Sequence, residues 1–440
     1  MRVCPTHALA RGPATAFAVI AMCSAAGMAS TPERPDGLSH RLIVGYQGWF
    51  GCPDDFEANR NWQHWFLKGV RPEFLTVDIL PSVRGLPPGD LCDTGLPRED
   101  GQGTIKLFSA QNPAVVSAHF SWMRDHGIDG AAAQRFIQPV SSDPVRKRRS
   151  DHVLTNVQAA AEASGRVFFI VYDVSGADPR TVTDDIRSDW RYLAETLRLT
   201  QSRAYLRDHG KPIIELWGFG LGDRPGTPES VAALIADLKS GAHGLTAATV
   251  IGGVPAHWRT LDGDAKADRA WSTVYRSYDV ISPWAVGRFS DEADADQFVR
   301  EVVQPDLVET RRLGLRYLPV VFPGFSWSNL MRNRNRPEQA VLNKIPRNCG
   351  RFLWRQISDL LKSHVDALYV AMFDEADEGT AIFPAETRAD KLPAGTKMVY
   401  LNEDGCSLPD DWYLRVTGAA ARFLHDSTVP PGRLDAVLQP

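Results

Sequence analysis

From about Arg41 onward, short apolar segments rich in β-branched or aromatic residues alternate with longer stretches of helical period, which is the pattern of a parallel α/β fold. Eight segments read as strands: RLIVGY (41–46), GAAAQRF (130–136), VFFIVYD (167–173), PIIELWG (212–218), AATVIGG (247–253), YDVISPW (278–284), YLPVVFP (317–323) and ALYVAMF (367–373). Between them lie amphipathic segments such as PAVVSAHFSWMRDHG, DHVLTNVQAAAEASG, TDDIRSDWRYLAETLRLT, ESVAALIADLKSG and GRFLWRQISDLLKSH, several ending in the glycine that commonly stops a helix. Eight strand-and-helix units predict a (β/α)8 barrel of the TIM type, a single domain over 38–430 with long loops at its carboxyl-terminal face. LTVDILP (75–81) is read as part of a long loop rather than as a ninth strand. A doubly wound open sheet would show the same alternation, but the glycine-rich WGFGLGD does not open a helix in the G-x-G-x-x-G manner of that class.

The first thirty residues break the pattern. Arg2, His7 and Arg11 precede the apolar run ATAFAVIAM and a small-residue end, GMAS, the layout of a secretory signal peptide cleaved near Ala29. That run is too short to span a membrane, and nothing later reaches about 18 uninterrupted apolar residues, so no transmembrane segment is expected. A lipid anchor on Cys23 is disfavoured by Met22, which sits where such sites want a small residue. Removing 1–29 takes away Cys4 and Cys23 and leaves Cys52, Cys92, Cys349 and Cys406. In an exported chain four cysteines allow one or two disulfides, with three full connectivities that the sequence does not choose between. None of the pairs has zinc-site spacing. Lys plus Arg (49) nearly balances Asp plus Glu (53), without long blocks of one sign, so neither nucleic acid nor a membrane surface is indicated as a partner. The expected protein is a monomer in the periplasm or outside the cell.

A barrel carries its chemistry at the carboxyl ends of the strands. Taken strand by strand, these ends are Tyr46, Gln47, Gly48, Trp49 and Phe50; Gln134 and Arg135; Tyr172 and Asp173; Glu215 and Trp217; His257, Trp258 and Arg259; Trp284 with Arg288 beyond; Phe325, Ser326 and Trp327; and Asp374 to Glu378. Five of the twelve tryptophans fall there, among amides, arginines and carboxylates. Aromatic faces beside hydrogen-bonding groups are what a sugar needs, because it presents apolar C–H faces and a polar rim together. The candidate substrate-binding residues are Tyr46, Gln47, Trp49, Gln134, Asp173, Trp217, His257, Arg259, Trp284 and Trp327. His64 in NWQHWF joins them, as a ligand contact or as a residue that holds its loop. Trp122, Trp190 and Trp354 lie within helical patterns and read as core.

FDEADEGTAIFP (373–384) carries four carboxylates within five residues. In one helical turn Glu375 and Glu378 project to the same side, with β-carbons about 5–6 Å apart, whereas an extended strand sends them to opposite faces. Two carboxyls about 5–5.5 Å apart suit glycoside hydrolysis with retention, and about 6.5–9.5 Å suits inversion. Crowding also raises the pKa of one acid and keeps it protonated near neutral pH. A plainer reading is a helix start, with Asp374 as N-cap and acids in the first turn. The regular spacing of a calcium loop is absent, as are H-x-H and H-E-x-x-H, so neither metal nor cofactor is expected.

Over nearly the whole chain after the leader, the sequence resembles secreted bacterial proteins related to glycoside hydrolase families 71 and 99. The resemblance rests on GYQGWFGCPDD, NWQHW, GIDGAAAQRF, FFIVYDVSG, KPIIELWGFG, GGVPAHWR, DVISPWAVGR, PVVFPGFSWSN, GRFLWRQ and FDEADEGTAIFP. It implies a (β/α)8 barrel that cleaves α-linked glycans. Against the W-N-E-W-H-E-G motif of the family 99 endo-α-1,2-mannosidases, Glu375 and Glu378 take the glutamate positions and Gly379 the glycine. The resemblance then implies that Glu375 is a base on the sugar 2-hydroxyl, leading to a 1,2-anhydro sugar, or else a conventional nucleophile. Glu378 becomes the acid and then the base. Phe373, Asp374, Ala376 and Asp377 replace Trp, Asn, Trp and His, so mannoside specificity does not carry over, and Asp374 and Asp377 become candidates for contacting or supporting the substrate. The alternatives are an inverting enzyme of the family 71 type and a non-catalytic glycan-binding protein.

Overall fold

Residues 36–57 and 59–440 are described by the structure, a computed structural model; the expected leader and its two cysteines lie outside the described residues. The runs that read as strands are buried on both faces, as parallel barrel strands must be. They are β1 (Arg41–Tyr46), β2 (Gly130–Phe136), β3 (Val167–Asp173), β4 (Lys211–Trp217), β5 (Thr249–Pro255), β6 (Val280–Trp284), a divided β7 (Arg316–Tyr317 and Val320–Val321) and β8 (Ala367–Val370). Each pairs in parallel with the next through β6, and β8 pairs with β1.

The ring closes through β7, whose first half pairs with β6 and whose second half pairs with β8. Sequence predicts one strand here. Pro319 interrupts it, since proline brings no N–H to a ladder. The chain changes partners at that point: Leu318 N donates to Ile281 O of β6 at 2.8 Å, and Tyr369 N of β8 donates to Pro319 O at 3.0 Å.

Helices wrap the ring. They are α1 (Pro113–Asp125), α2 (Pro144–Ser164), α3 (Val182–Glu195), α4 (Pro228–Ser240), α5 (Ala270–Tyr275), α6 (Glu292–Phe298, continuing through the π-helical turn Val299–Val303 into Gln304–Leu313), α7 (Arg351–Lys362) and α8 (Trp412–His425). Their ends follow capping chemistry. Asn112 and Asp143 accept from the first-turn amides of α1 and α2, a Thr227–Ser230 box opens α4, and left-handed Gly165 and Gly241 close α2 and α4. Six tryptophans, Trp65, Trp190, Trp258, Trp271, Trp354 and Trp412, are wholly buried between layers. Trp190 and Trp354 are thus the core residues their periodicity predicts, while Trp122 is partly buried beside His119.

The long connection from β1 to α1 contains an antiparallel hairpin, Leu91–Pro97 with Thr104–Phe108. Its segment 75–81 is an extended strap outside the barrel. Ile79 bridges to Val399, Pro81 bridges to Ala385, and Asp78 N donates to Ala376 O at 3.0 Å. The cysteines pair as Cys52–Cys92 and Cys349–Cys406, resolving the connectivity left open by sequence. The first disulfide ties the β1 loop to the hairpin, and the second ties the approach to α7 to the segment before α8.

Candidate active site

Side chains two apart on a strand share a face, so a few positions per strand form the barrel mouth. Phe136, Asp173, Trp217, Gly253 and Ser282 lie in register across β2 to β6. One level below, Gln134 of β2 reaches across the ring and donates from Nε2 to the Tyr369 hydroxyl of β8 at 3.1 Å. Trp217 meets Trp284 edge to face with ring centres 5.2 Å apart, and Trp284 lies 6.5 Å from Tyr369. Glycine is required at 253, where a Cβ would stand 2.6 Å from the Trp217 ring and 2.9 Å from Glu215 Oε1.

Beyond β8 the chain folds into a closed turn. Glu375 O accepts from Thr380 N at 3.1 Å and from Ala381 N at 3.0 Å, and Gly379 N donates to Ala376 O at 3.3 Å. This turn is the arrangement that puts Glu375 and Glu378 within each other's field. Gly379 has φ +62°, and a Cβ there would come within 3.0 Å of Ser326. Four outside groups fix the turn. Ser326 N donates to Glu378 O at 2.8 Å, buried Arg347 donates to Gly379 O and Ala381 O at 2.7 Å each, and Gln47 N and Gly48 N donate to the Asp374 carboxylate at 2.7 and 2.8 Å. Gln47 Nε2 also donates to Glu375 Oε2.

Burial and crowding set the electrostatics of the turn. Loss of water raises the Glu375 carboxyl well above its usual range, and Glu378, Asp377 and Asp374 add to it, with the Gln47 amide alone opposing. Glu378, half-buried at the rim, is pushed up to about 7 by desolvation and by Asp377, against the pull of Arg334 and Arg224. Desolvation likewise takes Asp374 to about 7 despite its two amide donors, and Asp173 to about 6.

A cleft of about 820 Å³ opens beside the turn, lined by Gln47, Trp49, Trp62, His64, Gln134, Arg334 and Asp377 among others. His64 stacks on Trp49 at 4.1 Å and holds Nδ1 3.4 Å from Asp377 Oδ2, while Trp49 also stacks on Phe136 at 5.2 Å. Trp327, from the loop after β7, packs on Phe325 with Lys344 over its ring. Buried groups around this mouth have no partner among the described residues: the indole N–H of Trp49, Trp217 and Trp327, Gln47 Oε1, Glu375 Oε1 and Asp377 Oδ1. Donors and acceptors therefore converge beside aromatic faces, which is a chemistry a polyol satisfies.

Gln47, Trp49, His64, Gln134, Asp173, Trp217, Trp284, Trp327, Asp377, Glu375 and Glu378 thus stand at or beside the mouth. Four other candidates are placed elsewhere. Tyr46 points outward from β1, its hydroxyl 3.0 Å from His119 Nδ1 of α1, because it alternates with inward Gly45 and Gln47. Asp374 is spent on the two amides that follow β1 and is 1% exposed, so it shapes the turn rather than meeting a ligand. Arg259 pairs with buried Asp306 of α6 at 2.9 Å, and Asp306 also accepts from the indole of Trp258, which places both residues in the helix layer. His257 Nδ1 lies 3.0 Å from Asp264 Oδ1, and the same carboxylate holds Arg288 at 2.9 Å, forming a separate knot on the rim.

Other groups at the mouth carry no assignment from sequence. Arg224 lies over the Trp217 ring at 5.7 Å, exposed Arg334 acts on Glu378, and the Tyr369 hydroxyl closes the floor. Asp78 in the strap accepts from Ser328 N and Asn329 N, at 2.6 and 2.8 Å, and from the Ser326 hydroxyl. Of these only Tyr369 had a usable signal, its place within a strand; the others arrive on loops without periodicity. Among the described residues no group of three or more His, Cys, Asp or Glu is arranged to hold a metal ion, and no helix is long and apolar enough to cross a membrane.

No sequence family and no curated protein matches the chain. Solved structures do. The GH99 endo-alpha-mannosidase from Bacteroides thetaiotaomicron aligns with a TM-score of 0.62 at 16% identity, over 89% of this chain and 99% of that one. Its complex with BIS-TRIS-propane aligns with a TM-score of 0.61 at 17% identity, over 89% of this chain and 98% of that one. At such identity the likeness establishes a shared fold. A GH5_18 protein from Streptomyces cattleya in complex with GlcNAc aligns at a TM-score of 0.41 and 11% identity, over 73% of this chain and 77% of that one, too distant to argue from.

Proposed function

We propose that the chain is an exported glycoside hydrolase that cleaves an α-linked oligo- or polysaccharide with retention, using Glu375 and Glu378. The observation that carries this reading is the closed turn at the end of β8, where two raised carboxyls feel one another beside a cleft walled by tryptophan and histidine. The sequence resemblance to families 71 and 99 supports it, as does the fold shared with the bacterial endo-alpha-mannosidase. Two disulfides support export, since such bonds persist in oxidising compartments.

Glu378 reaches solvent at the rim and holds a proton up to about pH 7, so it protonates the glycosidic oxygen as the bond to the anomeric carbon breaks. Glu375, raised by burial and by its acid neighbours, is a strong base once it has lost its proton; its Oε2 accepts from the Gln47 amide, the contact that favours the charged form, and the unpartnered Oε1 faces the sugar. It takes the proton of the 2-hydroxyl, whose oxygen attacks the anomeric carbon and closes a 1,2-anhydro ring. In the second half Glu378 removes a proton from water as the water opens that ring, and Glu375 returns the proton to O2. If Glu375 instead attacks the anomeric carbon directly, the stereochemical outcome is the same.

Glu375→Gln and Glu378→Gln each lower turnover by about 10³-fold or more while leaving the melting temperature near wild type. Near-normal turnover by both variants, on a glycan that the wild type hydrolyses, rules the assignment out. Proton NMR of the first-released anomer separates retention from inversion.

A further inference from the structure

Glu215 is the buried acid that a two-glutamate reading leaves idle. It stands on β4, two residues before Trp217, and is 2% exposed, with Oε2 sealed from solvent and lacking a partner among the described residues. Burial alone pushes its carboxyl up to about 8, and no nearby cation offsets that. An apolar side chain would sit there at lower free energy, so a retained acid calls for a partner that arrives from outside.

Its neighbours share the shortage of partners. Glycine at 253 lets the Glu215 carboxyl and the Trp217 ring pack directly against the β5 backbone, since a Cβ there would stand 2.9 Å from Glu215 Oε1 and 2.6 Å from that ring. The Ser282 hydroxyl of β6 and the Trp217 indole N–H are also buried and unpartnered. The acids and phenols around this floor are Tyr278 at the approach to β6, Tyr369 of β8, Asp173 of β3 and Asp374 of the turn; Tyr278 and Tyr369 feel the Glu215 charge, and Tyr369 feels both aspartates as well. Glu215 therefore belongs to the same mouth as the glutamate pair.

We infer that Glu215 is a substrate-binding residue that acts as a neutral carboxylic acid, its O–H donating to a hydroxyl of the sugar seated on the barrel floor between β4 and β6. Ser282 Oγ and the Trp217 N–H are the neighbouring unpartnered polar atoms that the same sugar would engage. The identity of the ligand as a sugar rests on the glycosidase reading.

The test compares wild type, Glu215→Gln and Glu215→Leu, each checked by melting temperature, with Glu215→Ala standing in if the leucine variant does not fold. On the glycan that the wild type hydrolyses, Glu215→Leu loses about 100-fold or more in kcat/KM, whereas Glu215→Gln, which keeps a donor of the same shape, stays within about tenfold. One monodeoxy analogue of that glycan is penalised by the wild type and not by Glu215→Leu, because the two changes remove the same contact. Without any substrate, the infrared difference between wild type and Glu215→Gln at pH 7 contains the carbonyl stretch of a carboxylic acid. Equal kcat/KM for wild type and Glu215→Leu, no coupled deoxy position, or carboxylate bands in place of that carbonyl each overturn the inference. If the wild type hydrolyses no glycan in a broad panel, the glycosidase reading falls on its own, and the variants are compared by calorimetric affinity for the same panel. There, equal affinities or no binding at all overturn the role of Glu215.

Discussion

Glu378, Asp374 and Glu215 keep their protons to about pH 7, 7 and 8 because the fold strips water from them. In the unfolded chain the same groups ionise near pH 4. The folded state therefore holds more protons than the unfolded state above that point, and stability falls as pH rises toward and through the folded values. Buried His119, held down to about 3, acts in the opposite sense only below its ordinary value, so the interval from pH 6.5 to 9 belongs to the carboxyls. The melting temperature is expected to drop by several degrees across that interval, and Glu215→Gln is expected to flatten the upper part of the drop. A melting temperature that holds level or rises from pH 6.5 to 9 contradicts the raised values. Single-residue placement was legible where spacing decides it: Glu375 and Glu378 meet because they are three apart on a turn. It failed where alternation decides. Tyr46 and Gln47 are neighbours in the chain on opposite faces of β1, and only the parity of the strand tells which one enters the barrel.

At the scale of elements, β1, β2 and β3 were legible to the residue, each a short run rich in apolar residues. β5 runs two residues past its expected end, to Pro255, and that extension carries His257, Trp258 and Arg259 away from the mouth. Asp306, the partner of Trp258 and Arg259, lies on α6, in a stretch where sequence gives no distinct helical pattern, so the diversion had no visible cause. The strap was legible as loop but not as scaffold. Asp78 is fully buried and caps the short helix Ser328–Asn333, after which Arg334 follows, while its own amide holds the turn after β8 at Ala376. Asp78→Ala strands two amides and a hydroxyl, and is expected to cost about 3 kcal/mol in denaturant unfolding. Turnover should fall as well, because Trp327 and Arg334 lose their anchor. Unchanged stability in this variant shows that other groups hold the helix start.

At the largest scale, the described residues form a ring whose mouth loops are stapled from outside. The two disulfides close spans of 40 and 57 residues, and chain entropy alone makes each worth up to about 4 kcal/mol. Replacing Cys349 and Cys406 together by alanine is expected to lower the denaturant midpoint clearly, and replacing Cys52 and Cys92 should do so with a larger loss of turnover, since that pair braces the loop bearing Trp49. Equal midpoints for wild type and both double variants contradict this.

Gln47 and Asp374, whose hydrogen bond ties the end of β1 to the turn after β8, are 327 positions apart. A chain made from its amino end carries the cleft wall long before it carries the turn with Glu375 and Glu378. Products cut short before Ala367 lack the turn altogether, and full-length chains lack a working pair until β8 has slid between β7 and β1. On the proposed glycosidase reading, activity is expected only once β8 closes the ring, so the time at which it appears during refolding is a clock for the completed barrel.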